Sequence, residues 1–229
     1  MSAPVTVVIP TLNVADRIGP CLGALGEAVF EGLLAEVIFA DGGSSDEIDA
    51  VAGEVGARLV NSEKGRGTQL CAGAAAARSG WLLFLHADSV LDAGWHEAVR
   101  QHLATRPEHA GWFRLKFDSD AWQARAVERW ANLRARIFGL PYGDQGLLIP
   151  RRLYDRVGGF PDIPLMEDVA IARKLGRRRL AALECSIATS AERYERDGWF
   201  RRGSRNLSTL ALYLAGRSPE SLVRRYETR

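Results

Sequence analysis

The stretch "GWLLFLHADSV" (residues 80–90) decides how the first half of the chain folds. It is apolar from Trp81 to Leu85 and then stops at His86-Ala87-Asp88. A short continuous apolar run reads as a strand buried on both faces, as in a parallel sheet covered by helices. Side chains alternate along a strand, so His86 and Asp88 are expected to share one face at its carboxyl end. In an open α/β sheet, ligands bind at that end. A buried strand closed by an ordinary polar turn has the same letters, so the flanking sequence has to decide.

Upstream, "VTVVI" (5–9) is a β-branched run closed by Pro10, again a buried parallel strand. Asn13 is placed to cap a helix carrying Val14, Ile18, Cys21, Leu22 and Leu25 at helical spacing. "EVIFA" (36–40) is a second strand ending at "DGGSSDE" (41–47), where Ser44 and Glu47 fit a capping box. "RLVN" (58–61) is a third, followed by "SEKGRGTQL" (62–70) and an alanine-rich helix to about Arg78. Strands alternating with helices predict an α/β fold with a Rossmann-type, mostly parallel sheet flanked by helices.

The second half is less regular. "WFRLKF" (112–117) reads as a strand and "SDAWQARAVERWANLRARIF" (119–138) as a long amphipathic helix. A turn-rich loop, "GLPYGDQG" (139–146), precedes a short "LLI" strand and a helix from about Arg151 to Val157. "GGFPDIPLMEDVAIARKLG" (158–176) is a loop entering a helix, and "RLAALECSIATS" (179–190) a strand. From Trp199 to Tyr226 the tail reads as helical, broken at "GRSPES", where Ser218 and Pro219 suit N-cap and first-turn positions. With no linker or repeat, one domain spans 1–229: a nucleotide-binding-like half (1–110), a second half (111–198) and a helical tail (199–229).

A chain of 229 residues, 47% hydrophobic and 25% charged, is an ordinary globular composition and excludes disordered or collagen-like classes. Cys21, Cys71 and Cys185 form no C-x-x-C and read as core thiols in a reducing compartment. No apolar run approaches the ~18 residues of a membrane span, and "MSAPVTVVIP" lacks the basic and apolar regions of a secretory signal. A soluble, cytoplasmic protein is expected. Charge is uneven: from Arg173 onward 14 Lys/Arg face 6 Asp/Glu, net +8, whereas residues 1–172 hold 16 against 22, net −6. The basic end is either a solvated arginine face or a site for an anionic partner, a phosphate group or an acidic membrane surface. No nucleic-acid-binding motif accompanies it, so nucleic acid is not an expected partner. In the tail, Trp199, Phe200, Leu207, Leu210, Tyr213 and Leu214 interleave with Arg201, Arg202 and Arg205. Such a helix packs on its own core, packs against a second copy as a homodimer, or rests peripherally on the inner face of a membrane.

Polar residues gather at the predicted strand ends: Thr11 and Asn13, then Asp41, then the Lys64–Arg66 loop, then His86 and Asp88. In a parallel sheet these converge on one rim. A carboxylate such as Asp41 can accept from the N–H of a base, and Arg66 can approach phosphate with guanidinium and backbone donors. Asp88 offers a hard oxygen to Mg²⁺ or Mn²⁺.

In their order, "VVIPTLN", "ADGGSSDE", "KGRGTQL", "FLHADS", "GDQGLLIPRRLYDRVGGFPDIPLMEDV" and "SAERYERDG" resemble the family 2 glycosyltransferases over residues 5 to about 198. The "HAD" and "GGFPDIPLMEDV" forms look like a short soluble subgroup, some members of which are named for arsenosugar biosynthesis. The resemblance implies a GT-A fold and an inverting, hexosyltransferase-type enzyme that uses a nucleotide-diphospho sugar. It matches Pro10, Thr11 and Asn13 to the nucleotide pocket, Asp41 to the carboxylate holding the base, and Arg66 to the loop over base and ribose. Asp88 matches the last carboxylate of the family's Asp-x-Asp metal motif. His86 stands where the first Asp is usual, which favours Mn²⁺ over Mg²⁺ if the imidazole ligates; it equally suits a hydrogen bond to ribose or phosphate. Glu167-Asp168 matches the family's Glu-Asp pair, with Asp168 as catalytic base; by itself the pair also fits favourable charge at a helix start. Asp144 and Gln145 are the expected acceptor-hydroxyl binders, the acceptor being a small molecule or lipid-linked. Arg193 and Tyr194 are the nearest equivalents of the family's Gln-x-x-Arg-Trp motif, with Ser190 in place of the Gln; Arg193 is matched to the diphosphate, a surface ion pair with Glu192 or Glu195 being the alternative.

Two other readings are weighed, and the sequence argues against the first. Sugar-nucleotide pyrophosphorylases carry a Gly-rich Arg/Lys loop after the first strand, where this chain has "PTLNVADR". A non-catalytic nucleotide-sugar-binding scaffold or sensor with a degenerate metal motif is favoured by His86 alone.

Overall fold

The computed structural model describes residues 3–227. In chain order the regular elements are β1 (Val5–Thr11), α1 (Gly19–Phe30), β2 (Leu34–Asp41), α2 (Ile48–Val55), β3 (Arg58–Asn61), α3 (Arg66–Ala76), β4 (Trp81–Phe84), β5 (Val90–Leu91) and α4 (Trp95–Thr105). The second half continues with β6 (Ala110–Phe117), α5 (Trp122–Phe138), β7 (Leu147–Pro150), α6 (Arg151–Arg156), α7 (Glu167–Leu175), β8 (Leu180–Thr189), α8 (Glu192–Asp197), α9 (Trp199–Leu214) and α10 (Pro219–Glu227). The described strands form one eight-stranded sheet in the order β3-β2-β1-β4-β7-β6-β8-β5.

The strands β3, β2, β1 and β4 run parallel, with Thr11 opposite Asp41 and Asp41 opposite Asn61. Residues on alternating faces enter different cores, as the continuous apolar runs require. Val7, Ile9, Leu83 and Leu85 pack under α1, α2 and α4, whereas Val8, Leu82 and Phe84 pack under α3, α6 and α7. The α3 helix lies so close to β1 that a Cβ on Gly73 would come within 2.4 Å of Val8 Cγ1. Beyond β4 the sheet turns antiparallel through β7, then β6 and β8 run parallel to each other, and β5 closes the edge against β8. The β2 and β4 strands lie on opposite sides of β1, so a crevice opens at their carboxyl ends, the switch point where open α/β sheets bind ligands.

Several local expectations are corrected. His86 and Asp88 do not share a strand face: β4 ends at Phe84, and the two residues sit in a turn closed by Ser89 N–H donating to His86 O (3.1 Å). Asn13 does not cap α1. It adopts a left-handed backbone (φ 52°), and the helix starts at Gly19-Pro20, where proline's fixed φ suits the first turn. The Ser44/Glu47 capping box is absent because Asp41 takes the Ser44 hydroxyl. The elements β5, α4 and α8 fall in stretches to which the sequence reading assigns no strand or helix. The tail breaks where expected, with Ser218 Oγ accepting from Ser221 N–H (3.4 Å). Its apolar stripe divides: Trp199 and Leu210 are buried, while Phe200, Leu207 and Leu214 are exposed. All three cysteines are free thiols. Among the described residues no helix is long and apolar enough to cross a membrane.

Candidate active site

The rim at the ends of β1 and β2 is built by short polar side chains. Asp41 accepts from Thr11 Oγ1 (2.9 Å) and Ser44 Oγ (2.5 Å) at one oxygen, and from Gly43 N–H (2.9 Å) and Ser44 N–H (2.8 Å) at the other. Burial works to raise its pKa, but the Ser44, Thr11 and Gly43 bonds outweigh it and hold the carboxyl below its usual value. Four bonds match the lone-pair sites of a carboxylate, so Asp41 as placed organises its own turn. Asn13 Oδ1 accepts from Ser45 N–H (2.8 Å), stitching the loop after β1 to the loop after β2. Gln69 was not anticipated. Fully enclosed, it donates to Thr11 O (2.7 Å) and Ala40 O (2.8 Å), tying the two strand ends together.

A pocket opens beside this rim, and Arg66, His86, Asp88, Asp144, Asp168 and Arg193 all line it. Pro10, Thr11, Asn13 and Asp41 lie outside its lining. The α7 helix begins in the pocket wall. Met166 takes a left-handed conformation (φ 67°) as its N-cap, which turns Glu167 and Asp168 into the first helical turn. Non-glycine residues in that conformation are uncommon and gather at functional turns. Asp168 is held by two backbone donors, Gly143 N–H to Oδ2 (2.7 Å) and Val169 N–H to Oδ1 (2.7 Å). Gly143 also faces His86, where a Cβ would stand 2.6 Å from Nε2. A side chain at position 143 would therefore have to displace the His86 imidazole.

Glu167 is almost fully enclosed and faces Arg66 at 3.4 Å. Burial and the adjacent Asp168 charge push its pKa up to about 7, with Arg66 pulling the other way. Its contacts orient Arg66 rather than a reacting group. Burial, then the Arg66 and Arg193 charges, hold the His86 imidazole well below its ordinary pKa, so it is neutral and has a nitrogen lone pair to offer. Asp144 is pushed up to about 6, chiefly by burial, with Arg134 opposing and the Asp168 and Asp88 charges assisting. Its Oδ1 is buried with no hydrogen-bond partner.

Gln145, the other expected acceptor binder, is turned away from the pocket. Its Oε1 accepts from Arg134 Nη2 (3.2 Å) and Tyr142 N–H (3.3 Å), and its Nε2 donates to Asn132 Oδ1 (3.2 Å). It braces the 143–146 loop from behind. The outer wall combines Tyr194, Trp199 and Arg202, all noted in the sequence, with Asn206, which was not. Tyr194 stacks on Trp199 (centroids 5.1 Å) and accepts from Asn206 Nδ2 (3.0 Å), while Arg202 pairs with Asp197 (2.8 Å). Asn206 Oδ1 is a second buried acceptor with no partner. The helical period of the tail was the available signal, but nothing in it says which wall α9 completes.

Among the described residues no three His, Cys, Asp or Glu side chains gather as a protein-only metal cage. His86 and Asp88 supply a nitrogen and an oxygen donor. That set fits a cation whose remaining ligands come from a bound diphosphate and water.

No curated protein sequence matches the chain. Among solved structures it is similar to glucosyl-3-phosphoglycerate synthase from Mycobacterium tuberculosis, crystallised with Mn²⁺, UDP and glucosyl-3-phosphoglycerate (TM-score 0.56, 20% identity, 82% of this chain and 70% of that one). The same enzyme with Mn²⁺ and UDP-glucose aligns at TM-score 0.57 and 19% identity, over 82% and 70% of the two chains. S. aureus TarS 1–349 aligns at TM-score 0.65 and 16% identity, over 96% of this chain and 68% of that one. At these identities the likeness is one of fold, the GT-A arrangement of a nucleotide-binding sheet with an appended antiparallel portion. The family model for glycosyl transferase family 2 matches residues 6–160. Since that covers well over half of the chain, this protein belongs to glycosyl transferase family 2.

Proposed function

We propose that the protein is an inverting glycosyltransferase that moves a hexose from a nucleotide-diphospho sugar to an acceptor hydroxyl. The observation that carries the reading is the meeting, in one pocket, of His86 and Asp88 with two arginines and the backbone-held Asp168. The donor diphosphate lies against Arg66 and Arg193, with its base toward Pro10, Thr11, Asn13 and Asp41. A base N–H reaches Asp41 by replacing the Ser44 hydroxyl. The structures crystallised with UDP or UDP-glucose and Mn²⁺ support a uridine nucleotide and a divalent cation, and a related complex holds Mg²⁺. In this chain His86 and Asp88 would hold such an ion, Mn²⁺ suiting the imidazole better, and it would supply charge neutralisation at the diphosphate.

Asp168 is the general base. As the acceptor oxygen bonds to the anomeric carbon, the carbon–oxygen bond to the diphosphate breaks and the hydroxyl proton passes to Asp168. Arg66, oriented by Glu167, and Arg193 stabilise the charge gathering on the leaving group. One displacement inverts the anomeric centre. Asp144 Oδ1 and Asn206 Oδ1 are buried acceptors awaiting donors, which fits an acceptor with more than one hydroxyl.

The test is calorimetry and thermal shift with UDP, GDP, CDP and dTDP, with Mn²⁺, Mg²⁺ or neither, on the protein and on Asp88→Ala. Metal-dependent binding of one nucleotide, lost in Asp88→Ala, is expected. Metal-independent binding that survives in Asp88→Ala would point to the non-catalytic scaffold instead. Proton NMR of the first product would then report the anomeric configuration, and retention would overturn the single-displacement mechanism.

A further inference from the structure

The outer faces of α5 and α9 are unusual for a solvated surface. On α5, Trp122, Trp130, Leu133, Ile137 and Phe138 are exposed; on α9, Phe200, Leu207 and Leu214 recur every seven residues on the side away from the core. Trp122 is 66% exposed and Phe200 65%, yet their rings meet at 5.9 Å, so the two stripes form one continuous patch. Isolated exposed apolar residues need no explanation, but a contiguous patch of aromatic and aliphatic side chains marks an interaction surface.

Along the two helices the exposed charges are arginines, and the exposed carboxylates Asp118, Asp120 and Glu195 lie only at the Trp122–Phe200 end of the patch. Arg129, Arg136 and Arg201 are exposed on these helices. The only carboxylate in α5 is Glu128, which is buried and bonded to Phe117 N–H and Arg125. Residues 199–214 contain no Asp or Glu at all. A second copy is a poorer occupant than an anionic surface, because a two-fold contact sets the patch against itself and the middle of the two helix faces brings exposed arginines but no exposed carboxylate. From these observations we infer that the paired outer faces of α5 and α9 dock on an anionic lipid bilayer. Tryptophan, phenylalanine and leucine enter the headgroup boundary and the arginines meet lipid phosphates. The inference also bears on the acceptor. Trp130 and Leu207 wall a small cavity together with Asp144, Tyr194 and Asn206, so docking sets the acceptor side of the pocket beside the lipid headgroups.

Vesicle flotation tests this with the full chain, using phosphatidylcholine alone and phosphatidylcholine mixed with phosphatidylglycerol, at low and raised salt. Sedimentation velocity without lipid runs in parallel. Two variants accompany it, Phe200→Ser with Leu207→Ser and Arg129→Gln with Arg201→Gln, each checked for fold by circular dichroism. Binding to the anionic vesicles that weakens with salt and falls about tenfold or more in each variant is the expected result. Three outcomes would overturn it: no flotation of folded protein, equal flotation with phosphatidylcholine alone, or a lipid-independent dimer abolished by Phe200→Ser with Leu207→Ser. No sugar donor enters the experiment, so its failure leaves the transferase reading standing, and the reverse also holds.

Discussion

At the scale of single residues, the site turns on how carboxylates are held. Asp168 accepts two backbone N–H groups at 2.7 Å, which fix its orientation in the pocket. Asp168→Asn preserves the shape and removes the proton acceptor. Steady-state kinetics should show kcat lower by about 10²–10⁴-fold, while calorimetry finds donor affinity nearly unchanged. Glu167 makes a different prediction. Native burial beside Asp168 raises its pKa to about 7, above the ordinary carboxylate range, so the folded protein retains a proton that the unfolded chain releases. Stability from this group is present at low pH and is lost as pH rises through that window. Glu167→Gln should flatten that part of the profile when urea denaturation is followed at about pH 5 and about pH 8. Of these residues, the chemical types were legible in the sequence. Their bonding was not: "MEDV" and a capped helix start look alike until Gly143, 25 positions upstream, is seen to donate to Asp168.

At the scale of elements, the site depends on contacts between segments that no local pattern records. The first turn of α3 abuts the 161–163 loop so closely that a Cβ on Gly67 would stand 2.5 Å from Pro161 O and 2.7 Å from Ile163 O. Both are backbone atoms that cannot rotate aside. Gly67→Ala should therefore shift α3 and with it Arg66. The expected result is a loss of about 1–3 kcal/mol in urea denaturation, as for an overpacked core, with weaker donor binding by calorimetry. The strand and helix periods announced most elements to within a few residues, because burial on two faces or one stripe leaves its mark in local sequence. The exceptions are instructive. The two-residue β5 is too short to show a period, and Asn13 met a better partner in Ser45 than in a helix N-terminus.

At the scale of the whole molecule, the tail joins two jobs on opposite faces of one helix. The inner face of α9 sets Trp199 against Phe117 (centroids 5.2 Å) and Tyr194, and Leu210 against Met166 and Val169. Trp199→Ala removes a nearly enclosed indole and should cost about 3–5 kcal/mol by chemical denaturation; it also loosens Tyr194 in the pocket wall.

The sequence by itself determined the doubly covered parallel half, the run of polar groups at its strand ends and the family resemblance, since each is written in short local segments whose order along the chain is enough to read them. It also named Arg66, His86, Asp88, Asp144, Asp168 and Arg193, all of which meet in one pocket. Only the tertiary structure decided that Gln145 points inward, that Asp41 spends its acceptors on its own turn, and that Asn206 completes the wall. The physical reason is the same in each case: a polar side chain takes whichever donor or acceptor packing brings within reach, and packing is set by elements far apart in sequence.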